Sequence, residues 1–177
     1  MRKWWIGGGK TITGLHFEKK VDFLTLISQM KNYEIRNNFE IFYLWKKVAE
    51  TYKKHELYRK LLEPNGVKYL NLISKKLLPD NAVYVILKET LFIIEIKYQE
   101  VAWSVDEKLQ TCDFKKKQYT RLLTPLRLNV EYCYILSEWF MKKEYKDVLN
   151  YIQSVWCKYF FETLPLDYLW LPIPEND

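Results

Sequence analysis

The sequence predicts an α/β protein with a mixed central β-sheet that is flanked by helices on both faces. Residues 82–88 and 91–100 are apolar and rich in β-branched side chains, and only two residues separate them, which indicates an antiparallel hairpin. Residues 128–136 alternate apolar and polar side chains, as a further strand does. The connection from residue 100 to 128 is long enough for a crossover helix, so the strands on either side of it are predicted to be parallel.

The N-terminal half of the chain is predicted to be mainly helical. Residues 1–14 are predicted to be a tail, partly flexible at its glycines, and residues 17–31 show helical spacing. The longest predicted helix covers residues 32–54, because one face collects the apolar side chains of Ile35, Phe39, Phe42, Trp45 and Ala49. A short helix is predicted for residues 55–62, before the break at Glu63-Pro64-Asn65-Gly66.

The C-terminal half of the chain is predicted to alternate between strands and helices. Residues 70–77 fit either a strand or a helical turn. A helix is predicted for residues 106–123, where Thr124-Pro125 ends it, and another for residues 144–153. Residues 157–161 are predicted to form a last strand, and the proline-containing segment 164–174 is predicted to be irregular.

Composition limits the class of protein. A chain of 177 residues with 49% hydrophobic residues is expected to form one domain, residues 1–177, and is not a disordered chain. No apolar run approaches the roughly 20 residues that span a bilayer, and the three cysteines form neither a disulfide framework nor a zinc pattern. We therefore expect a cytoplasmic, bacterial protein without a membrane partner. The net charge of +6 is compatible with binding to nucleic acid.

The candidate site lies in the hairpin of residues 82–100. Side chains alternate along a strand, so Glu95, Lys97 and Gln99 are expected on one side of it. Burial of a carboxylate and an ammonium on a strand costs free energy unless both groups are paired or bind a ligand. A divalent metal ion held by Asp80 and Glu95, with Lys97 beside it, would use both. The alternative is an edge strand whose polar face is only solvated.

The spacing of the acidic and basic residues distinguishes one triplet from the others. Five acidic-x-Lys triplets occur, beginning at Glu18, Glu95, Asp106, Asp113 and Glu144. Only the triplet at Glu95 follows four apolar residues. Fourteen residues separate it from the single Pro-Asp dipeptide, Pro79-Asp80.

Pro79-Asp80 followed by Glu95-Ile96-Lys97 on successive strands resembles the core motif of the PD-(D/E)xK nuclease superfamily. Residues 104–119 resemble a block in type II restriction endonucleases of that superfamily. The size of the chain and that block together resemble the small subunit of heterodimeric type IIS enzymes, whose large subunit alone is a nicking enzyme. The resemblance implies a restriction-endonuclease-like fold.

The resemblance also implies roles for individual residues. Mg²⁺ would be held by Asp80, Glu95 and the backbone carbonyl of Ile96, while Lys97 would orient the attacking water. The superfamily often adds an acidic residue from an earlier helix, here Glu40, with Glu34 or Glu50 as alternatives. DNA contacts are expected from a basic run and one amide, namely Lys115, Lys116, Lys117 and Gln99; the alternative for the run is a solvated helix face.

The expected function is that of a Mg²⁺-dependent DNA endonuclease subunit. It would hydrolyse one strand of double-stranded DNA and would become site-specific only with a larger, DNA-recognising partner. Two alternatives remain from the sequence. One is a stand-alone homodimeric repair or junction nuclease, and the other is a nuclease-like module that docks on a partner without catalysis.

Overall fold

The computed structural model describes residues 14–17, 22–98 and 106–175, and it contains one large and one small β-sheet. The strands are β1 Gly14–His16, β2 Tyr33–Arg36, β3 Glu40–Tyr43, β4 Lys46–Tyr52, β5 Asn81–Val85, β6 Thr90–Lys97, β7 Asn129–Leu136, β8 Lys158–Phe161 and β9 Thr163–Pro165. The α-helices are α1 Phe23–Ser28, α2 Asp106–Leu109, α3 Cys112–Leu123 and α4 Lys146–Ser154. A π-helical segment covers Leu57–Leu62, and short 3₁₀ turns link other elements.

The large sheet has seven strands in the order β2-β3-β4-β5-β6-β7-β8. Neighbouring strands from β2 to β6 are antiparallel, whereas β6, β7 and β8 are parallel. The predicted hairpin is β5–β6, and the predicted crossover from β6 to β7 carries α2 and α3. The mixed central sheet is therefore confirmed. The small sheet pairs β1 with β9.

Helices cover both faces of the large sheet, as the sequence predicts. On one face, α1, β9 and the segment after β9 bury their apolar side chains against the strands, chiefly through Phe23, Ile27, Leu164, Leu166, Leu169 and Leu171. On the other face, α3, α4 and the π-helical segment pack, chiefly through Leu57, Tyr58, Tyr119, Leu122, Leu149 and Ile152. We call these the α1 face and the α3 face.

The predicted helix over residues 32–54 is wrong, because this stretch forms the meander β2-β3-β4. Asn37 and Asn38 adopt left-handed backbone angles, with φ of 52° and 59°, and turn the chain between β2 and β3. Asparagine tolerates that conformation better than most residues. Leu44 and Trp45 make the next turn with φ of 43° and 59°. Of the apolar residues with helical spacing, Ile35, Phe42 and Ala49 therefore fall on three separate strands, and Phe39 and Trp45 lie in the turns between them.

The other observed elements differ less from those that the sequence predicts. The helix predicted for residues 106–123 breaks at residues 110–111 into α2 and α3, and residues 70–77 form mainly loop. Segment 164–174 is less irregular than predicted, because its start belongs to β9. The predicted tail lies outside the described residues except for Gly14. Within the described ranges, no helix has the length and apolarity needed to cross a membrane.

Candidate functional site

Asp80 and Glu95 lie next to each other at one end of the β5–β6 hairpin. Asn81 pairs with Ile94 across the two strands, which places the preceding Asp80 beside Glu95. The Asp80 carboxylate accepts a hydrogen bond from the backbone N–H of Ile96, with a distance of 3.0 Å from N to Oδ2. The hairpin thus brings together the two carboxylates that the sequence predicts to act as a pair.

The Lys97 ammonium lies between these two carboxylates. Its Nζ is 2.9 Å from Oε2 of Glu95, 3.4 Å from Oδ2 of Asp80 and 3.3 Å from the carbonyl oxygen of Ile96. Burial acts to lower the pKa of Lys97, but the charges of Glu95 and Asp80 outweigh it and hold the pKa above its ordinary value. One cation therefore contacts all three oxygens that the sequence predicts as metal ligands.

The solvated edge-strand alternative does not describe this strand. β6 is the fifth of seven strands, with β5 and β7 as partners on its two sides. Glu95 is only 5% exposed, although it carries a carboxylate. A buried carboxylate needs charged or hydrogen-bonding partners, so the cations around Glu95 are a requirement of its position.

Lys115 is a second cation at the site and comes from α3. Its Nζ is 3.3 Å from Oε2 of Glu95. On α3, Tyr119 and Leu122 are buried against the sheet, and a residue four positions before Tyr119 lies on the same side of the helix. Lys115 therefore points along the buried side of the helix toward the end of β6.

The three residues of the basic run point in different directions. Lys116 contacts Glu131 at 3.1 Å and donates to the carbonyl of Trp156 at 2.6 Å. Lys117 is 73% exposed and pairs with Asp113 one turn earlier. The run is therefore neither a uniform solvated face nor a uniform DNA-contact surface, and only Lys115 reaches the carboxylates.

Buried tyrosines form the apolar surroundings of Glu95, and the sequence does not single them out. Burial raises the pKa of Tyr119 and of Tyr132, and the nearby Glu95 charge raises both further. Both phenols are therefore neutral over the physiological pH range. Their spacing in the sequence is that of core residues, so no local signal separates them from other buried aromatic residues.

The predicted third carboxylate is not brought to this site. Glu40 lies on β3, not on a helix, and Lys47 forms ion pairs with both Glu40 and Glu50. Glu50 is paired with Tyr84, four residues along β5 from Asp80, which corresponds to roughly 13 Å. Glu34 pairs with Arg36, and Gln99 lies outside the described residues.

The oxygen atoms at the site suit Mg²⁺ as a partial shell. Two carboxylates and one backbone carbonyl are hard ligands, and Mg²⁺ usually keeps several waters besides a few protein oxygens. Within the described ranges, no group of three or more His, Cys, Asp or Glu side chains is arranged to hold a metal ion. Any ion here would therefore depend on Asp80, Glu95 and the Ile96 carbonyl, and on waters or substrate oxygens.

Comparison of the chain with protein-family models, curated proteins and solved structures finds no match. The candidate site is therefore defined by its own geometry. That geometry is a pair of carboxylates, one of them buried, at the end of two central strands, with two ammonium groups in contact with them.

Proposed function

We propose that this chain is a Mg²⁺-dependent DNA endonuclease subunit that hydrolyses phosphodiester bonds at the Asp80–Glu95 site. The observation that carries the proposal is the position of the Lys97 ammonium, within 3.4 Å of oxygens from Asp80, Glu95 and Ile96. These oxygens converge on one point where a cation is stabilised. A bound Mg²⁺ would supply charge neutralisation to a phosphate and lower the pKa of a coordinated water.

The side chains at the site divide the work of hydrolysis. Asp80 and Glu95 would hold the metal ion, and the N–H of Ile96 fixes the orientation of the Asp80 carboxylate. With Mg²⁺ held by these oxygens, the Lys97 ammonium would orient the attacking water. Lys115 would then contact a non-bridging oxygen of the phosphate, where developing negative charge needs a preorganised cation.

The proposal includes a partner subunit because this chain has one candidate site. One such site cuts one strand, and hydrolysis of both strands needs a second site. Nearly all described elements belong to one sheet and the layers that cover it, which leaves no separate base-reading module among the described residues. Sequence choice and the second cut would then come from a larger subunit, as the resemblance to type IIS small subunits implies.

Reconstitution with the larger subunit tests this proposal. The candidate is the product of a neighbouring gene, assayed on plasmid DNA with Mg²⁺. We expect the partner alone to nick, and the two proteins together to make a double-strand break at a fixed offset from the recognition site. Asp80→Asn in this chain should leave only the nick. Site-specific double-strand cleavage by the isolated chain would contradict the subunit assignment and favour a homodimeric nuclease.

A further inference from the structure

A second basic feature lies at the same end of the sheet as Asp80, where β4 ends. It is a pocket lined by Leu24, Asn38, Thr51, Lys53, Lys54, His55, Glu56 and Arg59. The backbone N–H of Lys54 donates to the carbonyl of Pro79 at 2.9 Å. This hydrogen bond joins the wall of the pocket to the backbone of the residue that directly precedes Asp80.

The charges in the pocket do not cancel. Lys53 is paired with Asp22 at 2.5 Å, and Glu56 is paired with Lys60 at 2.8 Å. Within the described ranges, Lys54 and Arg59 have no acidic partner, and both are exposed. Two cations therefore remain uncompensated beside the pocket, and an anion is the ligand that complements them.

The hydroxyl of Thr51 gives an independent indication of a ligand. Thr51 is 2% exposed and belongs to the pocket lining, yet among the described residues its Oγ1 has no hydrogen-bond partner. A buried hydroxyl without a partner costs free energy that a hydrogen bond would recover. Oγ1 is shielded from solvent in the free protein, so an anionic oxygen in the pocket would accept that bond once its binding uncovers the hydroxyl.

We infer that this pocket binds a backbone phosphate of the DNA substrate that flanks the phosphate to be cleaved. The inference rests on the proposed function for the identity of the ligand. The pocket has Leu24 of α1 in its wall, whereas Lys115 approaches Asp80 and Glu95 from α3. A DNA strand that crosses this end of the sheet reaches both, so the pocket sets the register of the strand relative to the cleavage site.

The test is DNA binding measured without divalent metal, so that it does not depend on hydrolysis. A labelled duplex is titrated with the full chain in EDTA over a range of salt concentrations. For the double variant Lys54→Gln/Arg59→Gln, the slope of log K against log salt is expected to become shallower by roughly one, the change for one lost phosphate contact. The matched control is Lys46→Gln/Arg127→Gln, which removes an exposed lysine at the start of β4 and an exposed arginine in the turn before β7, both at the opposite end of the sheet. Its slope should equal that of the wild type.

Thr51→Val adds a readout that loss of charge cannot produce. The substitution removes an unpaired hydroxyl, so the free protein should unfold at an equal or higher temperature. DNA binding should nevertheless weaken by roughly three- to tenfold, the loss expected for one net hydrogen bond. An unchanged DNA affinity of Thr51→Val would contradict the proposed contact between the hydroxyl and the phosphate.

The results separate failure of the pocket from failure of the proposed function. A wild-type slope in the double variant, or an equal loss in the control, overturns the pocket. If Asp80→Asn cleaves like the wild type while the double variant shows the shallower salt slope, the site assignment fails and the pocket stands. If Asp80→Asn abolishes cleavage while the double variant keeps the wild-type salt slope, the proposed function stands and the pocket proposal fails.

Discussion

Replacing Lys97 with methionine tests the ion network at the candidate site through its effect on stability. At 2.9 Å and an effective dielectric constant of about 20, the attraction between Lys97 and Glu95 is about 6 kcal/mol before desolvation. Removal of one partner from a buried pair typically costs about 3–5 kcal/mol. Lys115 still lies 3.3 Å from Glu95, so we expect Lys97→Met to lower the free energy of unfolding by about 2 kcal/mol.

A double-mutant cycle with Glu95→Gln measures the interaction itself. Urea unfolding of the wild type, both single variants and the double variant should give a coupling of about 1–2 kcal/mol, because glutamine no longer leaves a buried charge. Lys116→Met is the matched control on the same helix as Lys115. Its partner Glu131 is 40% exposed, so its cost should stay below about 1 kcal/mol.

Addition of Mg²⁺ connects this perturbation to metal binding. In Lys97→Met the ion no longer competes with an ammonium for the same oxygens. Mg²⁺ at ten times its Kd should therefore restore about 1.4 kcal/mol, and the same concentration should stabilise the wild type less. Additive single-variant costs, or a Mg²⁺ effect that is no larger than in the wild type, would refute this reasoning.

Three further predictions concern activity and pH. Alanine substitution of Asp80, Glu95 or Lys97 should reduce the cleavage rate by at least ~10²–10³-fold and leave the circular dichroism spectrum unchanged. Full activity of the Asp80 or the Glu95 variant would contradict the assignment of the site. Lys115→Gln should lower both the cleavage rate and the salt slope of DNA binding, whereas Lys117→Gln should change only the slope. If neutralising all three lysines leaves the slope unchanged, the run does not contact DNA phosphates. Burial acts to raise the pKa of Glu56, but bonds from the Lys60 side chain and a backbone N–H hold it below its ordinary 4.5. The destabilisation caused by Glu56→Gln should therefore be present at neutral pH and disappear as the pH falls below 4.5 through the folded-state pKa, as urea unfolding at several pH values would show.

The site hairpin was predictable because its signals are local. The β-branched runs on either side of a short break define β5 and β6, and strand alternation places Glu95 and Lys97 on one face. The length of the following connection predicts the parallel partner β7. These inferences need only spacing and residue type, so they do not depend on distant parts of the chain.

The meander β2-β3-β4 was not predictable from the same periodicity. Its strands are only four to seven residues long, so a helical repeat of apolar residues fits the stretch as well as three short alternations do. The pair Asn37-Asn38 is a turn signal that could have divided the stretch. The turn at Leu44-Trp45 carries no such signal, since two large apolar residues rarely adopt left-handed backbone angles.

The composition of the site depends on tertiary packing that spacing alone does not reveal. Lys115 contacts Glu95 only because α3 packs against the end of β6. Glu40 satisfies its charge with Lys47 because the meander brings them together, and this placement removes the basis for Glu40 as a ligand supplied by a helix. The pocket at Lys54 and Arg59 likewise depends on the approach of α1 to the end of β4.

The central claim is that Asp80 and Glu95 together hold the divalent cation that hydrolysis needs. The most direct measurement is Mn²⁺ binding to the chain on a DNA duplex, followed by electron paramagnetic resonance with Mn²⁺ as the visible substitute for Mg²⁺. A bound ion should be present in the wild type, absent in Asp80→Asn and Glu95→Gln, and retained in the control Glu40→Gln. Equal Mn²⁺ binding by the wild type and Asp80→Asn would contradict the claim.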